Sequence, residues 1–170
     1  MNIIFKRTSV RKYTSESVSK ESIELLLKAG MAAPSAMNTQ PWEFIVVQDR
    51  ESLNKITEIH PYSHMLKQAP LAIMVCADFE KGLPELKPKK FWIQDCSAAT
   101  QNIMLQATEL NLGSVWLGVY PKEEVCKPLS EMFKLPSNIM PFSIISIGYP
   151  EGEVHPKDKF DKNKIHYEAW

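Results

Sequence analysis

The run Arg7-Thr8-Ser9-Val10-Arg11-Lys12 sets two guanidinium groups four residues apart around a hydroxyl. On a turn leaving a helix, both forks and the Ser9 hydroxyl can converge on one phosphate, which arginine grips bidentately. Laid along a surface, the same residues form only a solvated basic face. A second cationic cluster, Lys157-Asp158-Lys159, lies at the far end of the chain, and the two could close over a single dianion. Between them, Pro34-Ser35-Ala36-Met37-Asn38-Thr39-Gln40-Pro41-Trp42 is bracketed by prolines. Its Ser, Asn and Gln offer donors and acceptors to the edge of a heterocycle, or make an ordinary turn before a strand.

Other chemistries lack their residues. No G-x-G-x-x-G occurs, and Gly113-x-x-x-x-Gly118 is followed by Val119-Tyr120 rather than Lys-Ser/Thr, so a phosphate must be held by side chains or isolated amides. His60 and His64 stand at i, i+4, but Pro61 follows the first and no Glu-x-x-His accompanies them. They are expected to be surface or interface histidines, not zinc ligands. Without a G-x-S-x-G elbow, or a cysteine with a histidine near it in sequence, a self-contained hydrolase has no support. Cys76, Cys96 and Cys126 are widely spaced and odd in number, and read as reduced, core-filling thiols of a cytoplasmic protein.

The bulk properties agree. At 170 residues the chain is expected to form one domain, 1–170, with room for a real core. Twenty Lys+Arg balance 20 Asp+Glu, which argues against a nucleic-acid partner. No apolar run approaches the roughly 20 residues of a membrane span, and the first residues carry Lys6 and Arg7 too early for a signal peptide.

The elements that must position these residues follow from periodicity and punctuation. Ser19 can cap a helix, with Glu21 favourably placed against the dipole, and Ile23, Leu26, Leu27 and Met31 predict an amphipathic helix over 19–31. Trp42–Val47 reads as a strand, Glu51–Ile59 as a short helix, and His64–Gln68 as a turn. Pro70 opens the strand Leu71–Ala77, apolar on both faces and therefore central. Glu80–Lys90, with Gly82, Pro84 and Pro88 among charges, reads as an exposed loop. In Phe91–Asn111, Cys96, Ala99, Ile103, Ala107 and Leu110 form one stripe, while Ala98, Leu105 and Leu112 fill another face. Such a helix should run through the core and end at Gly113. Strands at Ser114–Val119 and Phe142–Tyr149 flank a helix near Lys122–Leu129, and a polar tail from Pro150 ends in Trp170. Four strands and several helices in irregular order predict an α+β sandwich rather than a doubly wound nucleotide fold.

Arg7-Thr8-Ser9-Val10-Arg11 with Tyr13, the loop Ala33–Trp42, Trp92–Asn102, Gly113–Gly118, Ile147-Gly148-Tyr149-Pro150 and His166-Tyr167-Glu168-Ala169-Trp170 together resemble the FMN-dependent nitroreductase family. Order and spacing carry the resemblance over nearly the whole chain. It implies an α+β fold with a mixed, mainly antiparallel central sheet flanked by helices, and an intertwined homodimer with FMN at its interface. It also implies that Arg7, Thr8, Ser9 and Arg11 hold the phosphate and ribityl chain. Pro34, Ser35, Met37, Asn38 and Gln40 would reach the flavin from the partner subunit, and Trp116, Leu117 and Gly118 would lie over its ring. Lys157 and Lys159 fall where the family usually places a basic residue on the phosphate, and Tyr167 and Trp170 would wrap the neighbouring subunit.

The implied activity is that of an NAD(P)H-dependent oxidoreductase. Hydride would pass from NAD(P)H through flavin N5 to an electron-poor acceptor of nitroaromatic or quinone type, by a ping-pong mechanism. The flavin carries the chemistry, so neither a catalytic side chain nor a metal is expected. Alternatives are an FMN store or redox sensor without turnover, and a dehalogenase-like branch of the same fold. That branch usually clamps its substrate with Glu, Tyr and Lys from a lid, whereas Glu80–Lys90 offers Glu85 and lysines but no tyrosine. The loop's shortness points to an open flavin face and a broad acceptor range. An anion-binding interaction module is a third alternative, and it leaves the central motifs unexplained.

Overall fold

A strand apolar on both faces needs a layer of helices on each. The computed structural model describes residues 2–81 and 90–170. In chain order these form α1 (Ile3–Lys6), α2 (Lys20–Met31), β1 (Trp42–Val47), α3 (Arg50–Ile59), β2 (Leu71–Asp78), α4 (Trp92–Glu109), β3 (Gly113–Gly118), α5 (Glu123–Met132) and β4 (Ile139–Gly148). The sheet runs β1-β2-β4-β3, so β2 is central as its composition requires. Ala72, Met74 and Cys76 pack into a core with Leu53 and Ile56 of α3 and Val125 and Leu129 of α5. Leu71, Ile73, Val75 and Ala77 pack into a second core with Ile23 and Leu26 of α2 and Cys96, Ala99, Ile103 and Ala107 of α4.

All three strand pairings are antiparallel. The mixed element is a one-residue parallel bridge from Ser9 to Ser114 at the edge of β3. Between Val75 and Cys76 the register skips Phe142, an extra residue that bulges β4. The expected α+β class with a mainly antiparallel sheet is what the chain adopts. The part of the Glu80–Lys90 expectation that concerns residues 82–89, Glu85 included, lies outside the described residues.

Two details differ from the sequence expectation. The helix over 92–109 does not run on to Gly113. Asn111 takes the left-handed conformation (φ 58°), while Leu112 N–H donates to Ala107 O and Asn111 N–H to Thr108 O. This is a Schellman stop, with asparagine in the place more often held by glycine. Nor is α4 enclosed all round. Cys96, Ala99, Ile103 and Ala107 are buried, but Ser97, Ala98, Gln101 and Leu105 on another face are only half-buried. Ser19 caps α2 as expected, its side chain accepting the Ser22 N–H.

Candidate functional site

After α1 the chain leaves the helical conformation at Arg7 and runs extended along the edge of the sheet. Val10 N–H donates to Ser114 O, Thr14 N–H to Tyr149 O, and Glu151 N–H to Lys12 O. The Tyr13 hydroxyl, buried, donates to Val10 O at 2.7 Å and sits 3.1 Å from Ser146 O. Burial pushes this phenol up to about 12, so it stays protonated and remains a donor. Two glycines make the close approach possible. A Cβ on Gly113 would stand 2.7 Å from Val10 Cβ, and one on Gly148 would stand 3.0 Å from the Tyr13 ring. The residues between α1 and Thr14 are therefore laid down on β3 and on the segment after β4 by backbone bonds, and Arg7, Ser9 and Arg11 belong to a fixed strip.

Opposite that strip lies the tail. A cleft of about 960 Å³ is lined by Ile4, Phe5, Arg7, Thr8, Ser9 and Arg11 on one side and by Pro156–Phe160 on the other. The two cationic clusters, some 150 positions apart in sequence, share one cavity. Arg7, Arg11, Lys157 and Lys159 share the lining with a single carboxylate, Asp158, whose Oδ1 already accepts the Phe160 N–H. None of the four cations enters an ion pair among the described residues. Four uncommitted positive groups around one cleft suit a polyanion, with phosphate the best match to the arginine forks. Ile4, Phe5 and Phe160 add apolar lips that the residue chemistry had not singled out; Ile3-Ile4-Phe5 directly before the cations was the available signal.

The loop 34–41 is elsewhere. None of its residues lines the cation cleft; Ala36, Thr39 and Pro41 instead border a separate cavity of about 320 Å³ with Phe79, Trp92, Asp95 and Tyr120. A 3-10 turn at Ala36–Asn38 presents Met37, 76% exposed, and the exposed Asn38 and Gln40 to solvent. Pro34 is exposed and Ser35 half-buried, its hydroxyl accepting the Gln40 N–H at 3.0 Å.

Trp116, Leu117 and Gly118 end β3, which among the described residues pairs only with β4, so beyond Ser114 no strand covers its other edge. Gly118 is exposed, with open space where a Cβ would be. Its carbonyl accepts a hydrogen bond from His60. That imidazole is 1% exposed, with Nε2 3.0 Å from Gly118 O and Nδ1 accepting the Tyr62 N–H at 3.2 Å. The Tyr62 contact fixes the tautomer with the proton on Nε2. His60 is thus a buried clamp rather than the surface or interface residue its spacing suggested, while His64 is exposed. The i, i+4 pattern misled because Pro61 breaks the helix at His60 and turns the ring inward.

The three cysteines are buried and free, and burial pushes each thiol upward, which suits packing. Among the described residues no cluster of His, Cys, Asp and Glu could hold a metal, and no helix is long and apolar enough to cross a membrane.

The fold recurs in known proteins. A profile of the Nitroreductase family matches residues 4–60 and 57–149. An Archaeoglobus fulgidus protein named "Putative NADH dehydrogenase/NAD(P)H nitroreductase" is 49% identical, the match spanning 100% of this chain and 98% of that one. A solved FMN-dependent nitroreductase from Clostridium difficile is 37% identical, covers 99% of each chain and superposes with a TM-score of 0.90. A Desulfovibrio desulfuricans structure, described as in complex with FMN, is 31% identical over 99% of this chain and 95% of its own, with a TM-score of 0.82. These solved proteins share the fold of this chain, and the chain is a member of the Nitroreductase family.

Proposed function

We propose that the protein is an FMN-dependent, NAD(P)H-oxidising enzyme that reduces electron-poor acceptors of nitroaromatic or quinone type and works as a homodimer. The observation that carries this is the cleft uniting Arg7, Ser9 and Arg11 with Lys157 and Lys159, all uncommitted and all from segments far apart in sequence. Relatives named for NAD(P)H nitroreductase and FMN reductase activity support the reading.

The residues present fit the cofactor. Arg7, Arg11 and one or both lysines would hold the phosphate dianion, with Thr8 and Ser9 hydroxyls on the phosphate and ribityl oxygens. Ser9 bridges to Ser114 at the start of β3, and at about 3.3 Å per residue Gly118 lies roughly 13 Å further along. A phosphate held at Arg7–Arg11 would leave the rest of the cofactor to run beside β3. There the backbone at Trp116–Gly118 can meet the polar rim of the ring, and the missing Cβ of Gly118 lets the ring approach. When bound, FMN supplies the redox chemistry, accepting hydride from a reduced nicotinamide and returning it to the acceptor. The protein's share is to bind, orient and leave the acceptor face accessible; no acid–base pair is required of it.

What a single chain leaves bare supports the homodimer. Residues 34–40 line no part of their own cation cleft, α4 keeps a half-buried face, and Tyr167 and Trp170 are 83% and 100% exposed. A second copy would cover the tail aromatics and receive Pro34, Ser35, Met37, Asn38 and Gln40 at its flavin. The test is direct. The protein is loaded with FMN, freed of unbound flavin and scanned in the visible range. Retained flavin bands that bleach with NADH or NADPH and return on adding a nitroaromatic or quinone are the expected result. A colourless protein overturns the reading, and retained flavin that no nicotinamide reduces leaves an FMN store in its place.

A further inference from the structure

The turn bearing Met37, Asn38 and Gln40 adopts a backbone that methionine and glutamine seldom take, although asparagine tolerates it. Their φ angles are 52°, 56° and 47°, all in the left-handed region. At Met37 and Gln40 this is unfavourable, so surrounding structure must hold those two positions. Most of the turn's bonds tie it only to itself. Ser35 Oγ accepts the Gln40 N–H, Gln40 Nε2 donates to Asn38 Oδ1 at 2.9 Å, and Thr39 Oγ1 donates to Ala36 O at 3.0 Å. Among the described residues, one hydrogen bond links 35–40 to another element: Ala36 N–H donates to Asp95 Oδ1 at 2.9 Å.

Asp95 is oddly spent for any other purpose. It stands in the first turn of α4, 5% exposed, yet α4 has no side-chain cap and Asp95 sends its oxygen 59 positions back instead. No ion pair among the described residues includes it. Loss of water raises its pKa, with the Ala36 N–H acting in the opposite direction. A carboxylate withdrawn from water and spent on one backbone amide makes a strong, directional tether.

We propose that Asp95 is a positioning residue: through the Ala36 N–H it fixes the 35–40 turn in the left-handed geometry that presents Asn38 and Gln40 to the partner subunit's cofactor. This rests on the reading that the turn reaches the flavin, so the test separates the two. Three variants are compared. Asp95→Ala removes the acceptor, Asp95→Asn keeps an oxygen acceptor without the charge, and Ala36→Pro removes only the donor. Ser35, at φ −142° and ψ 155°, already has the extended geometry favoured before proline.

Backbone hydrogen exchange is followed in the flavin-free protein, and FMN dissociation constants are measured by titration. Asp95→Ala should speed exchange of residues 38–40 by about tenfold or more, leave β2 and β4 protected, and raise the FMN Kd about tenfold, on the scale of one lost charge-assisted bond. Asp95→Asn should restore both to within about threefold, and Ala36→Pro combined with Asp95→Ala should cost no more than either alone. Unchanged exchange at 38–40 in Asp95→Ala overturns the proposal, as does loss of protection spread evenly through β2 and β4. Fast exchange confined to the turn with an unaltered Kd also overturns it, and places the error in the turn's flavin contact rather than in the tether. A wild-type protein that retains no FMN sinks the functional reading alone, and the exchange data then still decide whether Asp95 holds the turn. Should Asp95→Ala fail to fold, Asp95→Asn and Ala36→Pro carry the comparison.

Discussion

The two walls of the cation cleft are built from opposite kinds of chain. The strip bearing Arg7, Ser9 and Arg11 is bonded to β3 and to the segment after β4 through Val10, Thr14 and Lys12, and Tyr13 is buried beneath it. Pro156–Phe160 belongs to a tail that is exposed from Glu151 to Trp170 apart from half-buried Asp161. Beyond Glu151 the tail's hydrogen bonds among the described residues join only near neighbours in sequence. One wall therefore meets an anion already ordered, while the other loses freedom when it closes. Preorganised donors keep more of their interaction energy as affinity. The arginines should accordingly dominate phosphate binding, although both walls carry two cations.

The largest expected effect tests that asymmetry at its strong side. Arg7→Ala should weaken FMN binding by about 1.5–3 kcal/mol, the range for a charge-assisted hydrogen bond, or roughly 10- to 150-fold in Kd. Fluorescence titration with FMN at low salt reads this directly; an unchanged Kd would remove Arg7 from the phosphate site. Next comes the floor under the strip. Gly113→Ala places a methyl 2.7 Å from Val10 Cβ and must push the strip off β3. Overpacking of this kind costs about 1–3 kcal/mol of stability. Because Arg7 and Arg11 ride on the displaced segment, FMN affinity should fall as well, though neither arginine is touched. Denaturant unfolding and flavin titration of the same variant decide whether stability and affinity move together.

How much of this was legible beforehand differs between the walls for a related reason. The strands, α2 and the central place of Leu71–Asp78 follow from period and from apolarity on both faces, signals that act within a few residues. Arg7, Ser9 and Arg11 were visible because charge and spacing lie within one short run. That Lys157 and Lys159 share their cleft was only a possibility in sequence, since contact between positions 11 and 157 has no local signature. Glycine commonly ends helices, which makes Gly113 read as the helix stop; Asn111 takes that place instead, and Gly113 is small because Val10 crosses it. His60 differs from its sequence expectation for the same long-range reason: nothing near it in sequence indicates a bond to Gly118. Asp95 is the far end of a tether spanning 59 positions, and the helical pattern gives no hint of it.

Tyr13 offers a pH handle on the bonded wall. Its phenol is raised from 10.0 to about 12 by burial, so the fold favours the protonated form. The stability this provides is fully present below pH 10 and is lost as pH rises through about 12, because the unfolded chain ionises first. Over that interval Tyr13 should contribute a fall of about 1.4 kcal/mol per pH unit. Tyr13→Phe should remove that share of the alkaline slope while costing about 1 kcal/mol at neutral pH for the hydroxyl's lost bonds. Urea unfolding at a series of pH values from 9 to 11.5 measures both. An alkaline slope identical in the two proteins would mean that the hydroxyl is not sequestered as its contacts require.

The smallest effect belongs to the exposed wall and sharpens the comparison most. Lys157→Ala and Lys159→Ala remove solvated cations, whose pairing with a ligand is worth about 0–1 kcal/mol, so each should raise the FMN Kd no more than about fivefold. Salt should erase most of this difference, since exposed charges are screened over roughly 8–10 Å at physiological strength. If a second copy orders the tail, the lysine effect should also depend on protein concentration, fading on dilution to where the dimer dissociates, while the Arg7 effect persists. A lysine variant that costs as much as Arg7→Ala at every concentration would mean that the tail is as well ordered as the strip within one chain. The contrast between the walls would then lie in charge geometry rather than in preorganisation.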